Sequence, residues 1–239
     1  MPITDDQHEG AARADTADRR TLPPLDERVT AAQLSDSLDS LEVRGQVLDG
    51  RIRPLRGGSR IVGRARTIRF EPVTRPAAEV YADPDPYRPF IEFMDGVRRD
   101  EVVVVATGGD ERTAYWGELF SAAALGRGAV GLVCDSYTRD RGRVEALGFP
   151  VFSLGTRPLD YRGRMRIAGV QEPVVCAGVR VCPGDLVLAE DDGIVVVPAA
   201  AEEGAVERAN RRAATESTVL RELLSGRTIG EVWDDHGVL

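Results

Sequence analysis

The chain has 239 residues, 42% of them apolar and 29% charged, enough for one large domain or two small ones with a sizeable core. Its formal charge of −8 is unlike that of a nucleic-acid binder relying on a basic footprint, and no apolar run reaches the length of a membrane span. Cys134, Cys176 and Cys182 form no C-x-x-C pair, and their odd number argues against a disulfide framework and for inert thiols in a reducing cytoplasm.

Residues 1–25 are polar and acidic, without the hydrophobic stretch of a signal peptide. They predict a disordered tail closed by Thr21, Leu22, Pro23 and Pro24, ahead of a single domain over 26–239. Val29, Leu34, Leu38 and Leu41 give 27–41 a helical period, with helix-start chemistry at 35–39. Asp49-Gly50 marks a turn, and the alternation over 59–69 predicts a strand. The Pro- and Asp-rich stretch 72–92 predicts an irregular surface loop, a candidate for lining a site. A short helix is expected at about 89–96.

The central region has the clearest pattern. Residues 101–107 predict a buried strand ended by Gly108-Gly109, and 117–126 a helix closed by Gly128. A second buried strand follows at 129–134 and another helix at 141–147. This alternation points to a parallel α/β arrangement. Farther on, Pro183-Gly184-Asp185 and Asp191-Asp192-Gly193 predict two turns joining three strands of antiparallel or mixed sheet. A long polar helix is expected from about Ala200 to Leu224. The whole reads as one α/β domain with two sheets or one large mixed sheet, flanked by helices.

One spacing carries chemistry. Glu118 is followed, after twenty residues, by Arg139-Asp140. A helix from Gly117 rises roughly 15 Å over ten residues, and the next strand returns roughly 20 Å. Residues beyond that strand should therefore meet the helix start, at the carboxyl edge where α/β sheets bind ligands. The amides near Gly117, Glu118, Leu119 and Phe120 form an anion site at a helix N-terminus. Gly117 allows close approach to the backbone. Arg139 offers a planar fork to an anionic oxygen. Asp140 is a hard ligand suited to Mg²⁺ or Mn²⁺, and Glu118 can hold a metal-bound water or move a proton. The same acids also suit a helix dipole and a solvated turn. His8 and His236, the two histidines, lie near the ends, which argues against a Ser/Cys–His enzyme or a His-rich metal site.

Glu118, Arg139 and Asp140 at this spacing resemble the RraA-like family, which includes 4-hydroxy-4-methyl-2-oxoglutarate aldolases. The resemblance extends to 53–55, 148–152 and 183–198, and covers about residues 30–225. It implies a layered sandwich of mixed sheets flanked by helices, assembled as a homotrimer or homohexamer with sites between subunits. It implies a Mg²⁺- or Mn²⁺-dependent lyase acting on a small 2-oxo acid through a pyruvate enolate, with oxaloacetate decarboxylation as a side activity. Asp140 would hold the metal, and Glu118 would act through a bound water, joined by Glu216 from a neighbouring subunit. Arg139 would bind the enolate oxygen, and the amides of Gly117, Glu118, Leu119 and Phe120 the carboxylate. This sequence departs from the family pattern at Tyr137, where glycine is usual, at Phe120, where leucine is common, and over 72–92. Some members of the family regulate a ribonuclease by protein contact, which sets a non-catalytic alternative. A related lyase or hydratase acting on another 2-oxo acid is a further one. A methyltransferase would need a glycine-rich nucleotide loop, and Gly108-Gly109-Asp110 does not supply it.

Overall fold

Helix α1 (Ala31–Asp39) begins at Thr30, whose side chain accepts from the Gln33 amide while the Gln33 side chain accepts from the Thr30 amide. This reciprocal cap moves the helix start ahead of 35–39, which lie inside the helix. The computed structural model describes residues 21–82 and 84–238. The expected tail over 1–20 lies outside the described residues. Residues 21–25, assigned to the same tail, instead bring Leu22 and Leu25 against an apolar cluster.

Strands β1 (Arg53–Pro54) and β2 (Ile61–Pro72) follow, then the short helices α2 (Ala77–Tyr81) and α3 (Arg88–Asp95). Helix α3 is the short helix expected at about 89–96, whereas α2 corrects the expectation of an irregular loop over 72–92. Next come β3 (Glu101–Ala106), α4 (Glu118–Gly126), β4 (Gly131–Cys134), α5 (Arg141–Leu147) and β5 (Val151–Ser153). The chain continues through β6 (Met165–Val170), β7 (Val174–Cys176), β8 (Val179–Val181), β9 (Leu186–Glu190) and β10 (Gly193–Val197). It closes with α6 (Glu202–Leu224) and α7 (Ile229–His236). The expected single strand before Pro183 is a hairpin, because Ala177 and Gly178 both take left-handed backbone angles (φ 46° and 86°) and turn β7 into β8.

Eight strands form one mixed sheet in the order β1-β5-β4-β3-β2-β9-β10, with β6 also paired to β2. The β2–β3, β3–β4 and β4–β5 pairs are parallel, as the alternation of strands and helices required. Strand β2 serves three partners. It runs beside β3 along one edge, while its other edge pairs antiparallel with β9 over Ile61, Val62, Gly63 and Arg64 and then with β6 from Ile68 onward.

Side-chain alternation splits the core into layers. From β3, Val103 and Val105 join Phe90 and Phe93 of α3, Ala124 of α4 and Val144 of α5. Val102, Val104 and Ala106 face the opposite way, onto the β7–β8 hairpin through Val174, Cys176, Val179 and Val181. Strand β3 is buried on both faces, which is why its sequence is an unbroken apolar run. At the other end of the sheet, Leu186, Leu188, Val195 and Val197 lie under Leu34 and Leu38 of α1 and Ala205 and Ala209 of α6. Arg64 of β2 and Glu202 at the start of α6 form a largely buried ion pair across this layer, with Arg64 Nη2 2.8 Å from Glu202 Oε1. Cys134 and Cys176 are buried free thiols, and burial raises both well above the usual thiol range.

Candidate active site

Beyond the carboxyl ends of β3, β4 and β5, residues 113–116, 136–139 and 154–157 lie side by side. The amide of Tyr115 donates to the Tyr137 carbonyl at 3.0 Å, and that of Arg139 donates to the Trp116 carbonyl at 2.8 Å. The amide of Thr138 donates to the Gly155 carbonyl at 3.0 Å, and that of Ala114 to the Leu159 carbonyl at 2.7 Å. Residues 136–139 are thereby held between 113–116 and 154–157, which fixes where Arg139 and Asp140 emerge.

The expected meeting takes place. The Glu118 amide, at the first position of α4, lies 3.3 Å from Asp140 Oδ2. Gly117 caps α4, and a β-carbon built on it would fall 2.5 Å from Asp140 Oδ2 and 3.1 Å from Arg139 Cγ. Only glycine leaves room for those two side chains. The buried Trp116 donates its indole N–H to Ser121 Oγ at 2.8 Å, and Ser121 Oγ donates to the Gly117 carbonyl at 3.0 Å. These bonds lock the entry to the helix. Asp140 itself has φ 60° and ψ 34°, a left-handed conformation at the start of α5 that acidic and amide side chains tolerate better than most.

Charges interlock around this centre. Arg139 Nε is 3.8 Å from Asp140 Oδ2, and its Nη1 is 3.7 Å from Asp160 Oδ2. Tyr87 donates its hydroxyl proton to the same Asp160 oxygen at 2.9 Å. Arg143, one turn into α5, donates to Glu118 Oε2 at 2.9 Å and holds that carboxylate at the rim. Burial, reinforced by Asp160, raises the Tyr87 hydroxyl above the ordinary phenol range, and burial does the same to Tyr161. Both phenols therefore stay protonated at neutral pH and act as donors or walls.

Gly117, Glu118, Leu119, Phe120, Arg139 and Asp140 line one cavity of about 340 Å³, together with Tyr87, Ile91, Asp160 and Tyr161. A second, more polar hollow of about 410 Å³ lies on the other side of Arg139 and Asp140, toward Thr156 and Arg157. Glu216 is elsewhere within its own chain. On α6 it accepts from the Gln33 side chain and from Arg212 at the α1–α6 contact. Tyr137 does not line the first cavity. Its ring lies under the Arg157 guanidinium, 4.7 Å from ring centre to Cζ.

Sequence reasoning missed Asp160, Tyr87, Tyr161 and Arg143. Tyr87 and Ile91 both fall in the stretch 72–92 flagged for lining a site. Asp160 arrives through a backbone bridge with Ala114 that no periodicity announces.

The donor set bears on metal binding. Among the described residues no group of three or more His, Cys, Asp or Glu side chains gathers into a protein-only cage. Mg²⁺ commonly binds through one or two carboxylates and keeps several waters. Asp140, about two-fifths exposed, beside Glu118 suits that mode. A hydrated hard cation fits these residues, whereas a soft or fully enclosed metal does not.

The fold and site together define a mixed α/β domain that presents a carboxylate–guanidinium pocket at the carboxyl edge of its parallel strands. A family model described as RraA-like, Aldolase/RraA, matches residues 31–196, and the chain belongs to that family. It is 27% identical over 219 residues to protein DlpA of Legionella pneumophila, covering 90% of this chain but 34% of DlpA, so it spans about a third of that relative. It is 29% identical over 181 residues to a "Putative 4-hydroxy-4-methyl-2-oxoglutarate aldolase" of Halalkalibacterium halodurans, covering 76% of this chain and 78% of that protein. The crystal structure of Streptomyces coelicolor RraAS2, described as an unusual member of the RNase ES inhibitor RraA protein family, is similar with a TM-score of 0.69 and 30% identity. That match covers 84% of this chain and 93% of the other.

Proposed function

We propose that this protein is a Mg²⁺- or Mn²⁺-dependent carbon–carbon lyase that cleaves a 4-hydroxy-2-oxo acid to a pyruvate enolate and a carbonyl compound. The same site would decarboxylate oxaloacetate. The observation that carries the reading is the convergence of Glu118, Arg139 and Asp140 on the glycine-capped start of α4. A second fact narrows the route. The 239 residues contain no lysine, so none of them can form a lysine Schiff base with the substrate.

The substrate carboxylate would accept from the free amides of the first turn of α4, at Leu119 and Phe120, where the helix dipole favours negative charge. Arg139 would donate to the C2 oxygen, whose charge grows as the bond breaks. Asp140 would hold the cation directly and Glu118 through water. When bound, the cation supplies Lewis-acid stabilisation of the enolate oxygen. In the cleavage the C4 hydroxyl loses its proton and becomes a carbonyl. The C3–C4 electron pair moves to C2=C3 and on to the C2 oxygen. The enolate then takes a proton at C3 to give pyruvate. Glu118, held by Arg143, would accept the hydroxyl proton at Oε through solvent.

The reading extends to a homotrimer or homohexamer acting on small anions in the cytoplasm, with Glu216 of one subunit completing the site of the next. No helix among the described residues is long and apolar enough to cross a membrane, and the net charge of −8 suits a protein without a nucleic-acid partner.

The test is metal-dependent pyruvate release from oxaloacetate and from 4-hydroxy-4-methyl-2-oxoglutarate, together with exchange of the pyruvate C3 protons for deuterium. All three should be lost in Glu118→Gln and Asp140→Asn. Wild-type protein that supports none of them with either metal refutes the reading. The likeness to RraAS2 favours a second reading, a ribonuclease regulator acting by contact. Binding to an RNase E-type enzyme, undiminished in Asp140→Asn, would support it.

A further inference from the structure

The cavity that contains Arg139 and Asp140 is lined by two unlike sets of side chains. Glu118, Arg139, Asp140 and Asp160 are charged. Tyr87, Ile91, Leu119, Phe120 and Tyr161 supply a largely apolar wall. Among the described residues, Arg139 is the one cationic side chain in that lining, and its Nη1 already faces Asp160. Arg143, the nearest guanidinium on α5, is bonded to Glu118. Arg162 stacks on the rings of Tyr81 and Tyr87. A substrate carboxylate placed against that wall would therefore leave water and meet the negative Asp160, while Arg162, the cation behind the Tyr87 ring, lies outside the lining. An aromatic or branched apolar group there would cover the exposed Leu119 and Ile91 and gain the usual benefit of apolar burial.

We infer that the C4 substituent of the substrate is an aryl or branched alkyl group, not a second carboxylate. This rests on the pyruvate-lyase reading above and specifies the fragment that leaves. Helix α3, which begins within the Pro- and Asp-rich segment, contributes Ile91, with Tyr87 just before it, and so sets the preference. The reaction balances as before. For 4-hydroxy-2-oxo-4-phenylbutanoate the C3–C4 bond breaks, the C4 hydroxyl gives up its proton and benzaldehyde leaves. The electron pair remains in the enolate, which is protonated to pyruvate.

The experiment compares kcat/KM for 4-hydroxy-2-oxo-4-phenylbutanoate and for 4-hydroxy-4-methyl-2-oxoglutarate in the full-length protein with Mg²⁺ or Mn²⁺. Pyruvate C3 deuterium exchange, which requires no C4 substituent, is read alongside. Wild type should favour the phenyl substrate at least tenfold. Ile91→Arg and Leu119→Arg, both at exposed positions, should each shift that ratio at least tenfold toward the dicarboxylate. Because both substrates are measured on one preparation, loss of folded protein cancels from the ratio. Exchange with a wild-type preference for the dicarboxylate overturns this inference and leaves the lyase reading standing. Ratios unmoved by either arginine overturn it too, including the case where a variant changes only the mass of the assembly and so marks a contact between copies. Absence of both exchange and turnover overturns the two readings together.

Discussion

Gly117 is the residue on which the site depends most. A methyl group there would enter the space of Asp140 Oδ2 and Arg139 Cγ, while the backbone (φ −160°) suits any residue. Gly117→Ala should therefore cost function more than stability. Metal-dependent pyruvate release should fall at least tenfold, with a thermal midpoint within a few degrees of wild type. Asp140 calls for a different substitution. Its positive φ makes Asp140→Ala a mixture of lost charge and backbone strain of about 1–2 kcal/mol, whereas Asp140→Asn removes the charge alone. Asp135, buried beyond β4, accepts from the Thr107 amide and hydroxyl at 2.8 and 2.7 Å, yet desolvation outweighs these bonds and raises its carboxyl. A raised folded value means its contribution to stability is complete below the unfolded value and is lost as pH rises through the folded one. The stability of Asp135→Asn relative to wild type should accordingly rise from pH 4 to pH 7 in paired urea titrations. A flat or falling difference would contradict the assignment.

Elements carry the site because α4 runs out from Gly117 and β4 returns toward Arg139. This much was legible in the sequence, since apolar runs, glycine stops and helix and strand rise are local quantities. The spacing of Glu118, Arg139 and Asp140 could be converted into proximity for the same reason. Local signals failed where two structures share one composition. Residues 35–39 look like a helix start, but Thr30 and Gln33 form the cap first. Valines around Ala177-Gly178 hide a hairpin inside an apparent strand. Asp160 and Tyr161 belong to a connection with no period, so their approach to Arg139 depends on backbone pairing and not on pattern. Between elements, the Arg64–Glu202 pair joins the sheet to α6 at 9% and 13% side-chain exposure. Removing one member of such a pair costs about 3–5 kcal/mol. Glu202→Ala should lie at the low end, because Arg64 also donates to the Gly184 and Thr21 carbonyls. Denaturant unfolding reads this directly.

The described chain brings Glu118, Arg139 and Asp140 together but leaves Glu216 on α6 at its contact with α1. If a neighbour's Glu216 completes each site, Glu216→Ala and Asp140→Asn proteins should each be inactive alone. Mixed after reversible dissociation, they should recover part of wild-type activity, because some sites then receive both intact residues. No recovery, with mixed assemblies confirmed by mass, would confine the site to one subunit. The topology of β2 matters at this scale in a further way. Its first four residues pair with β9, and the apolar face of α1 is covered by α6, both far downstream. At ordinary elongation speeds those partners leave the ribosome about 6–30 seconds after β2 does. During synthesis the amino-terminal third is thus a nascent chain with an open strand edge and uncovered leucines. Arg60 and Arg64 flank and end that edge, so their charges discourage pairing with other chains until β9 arrives.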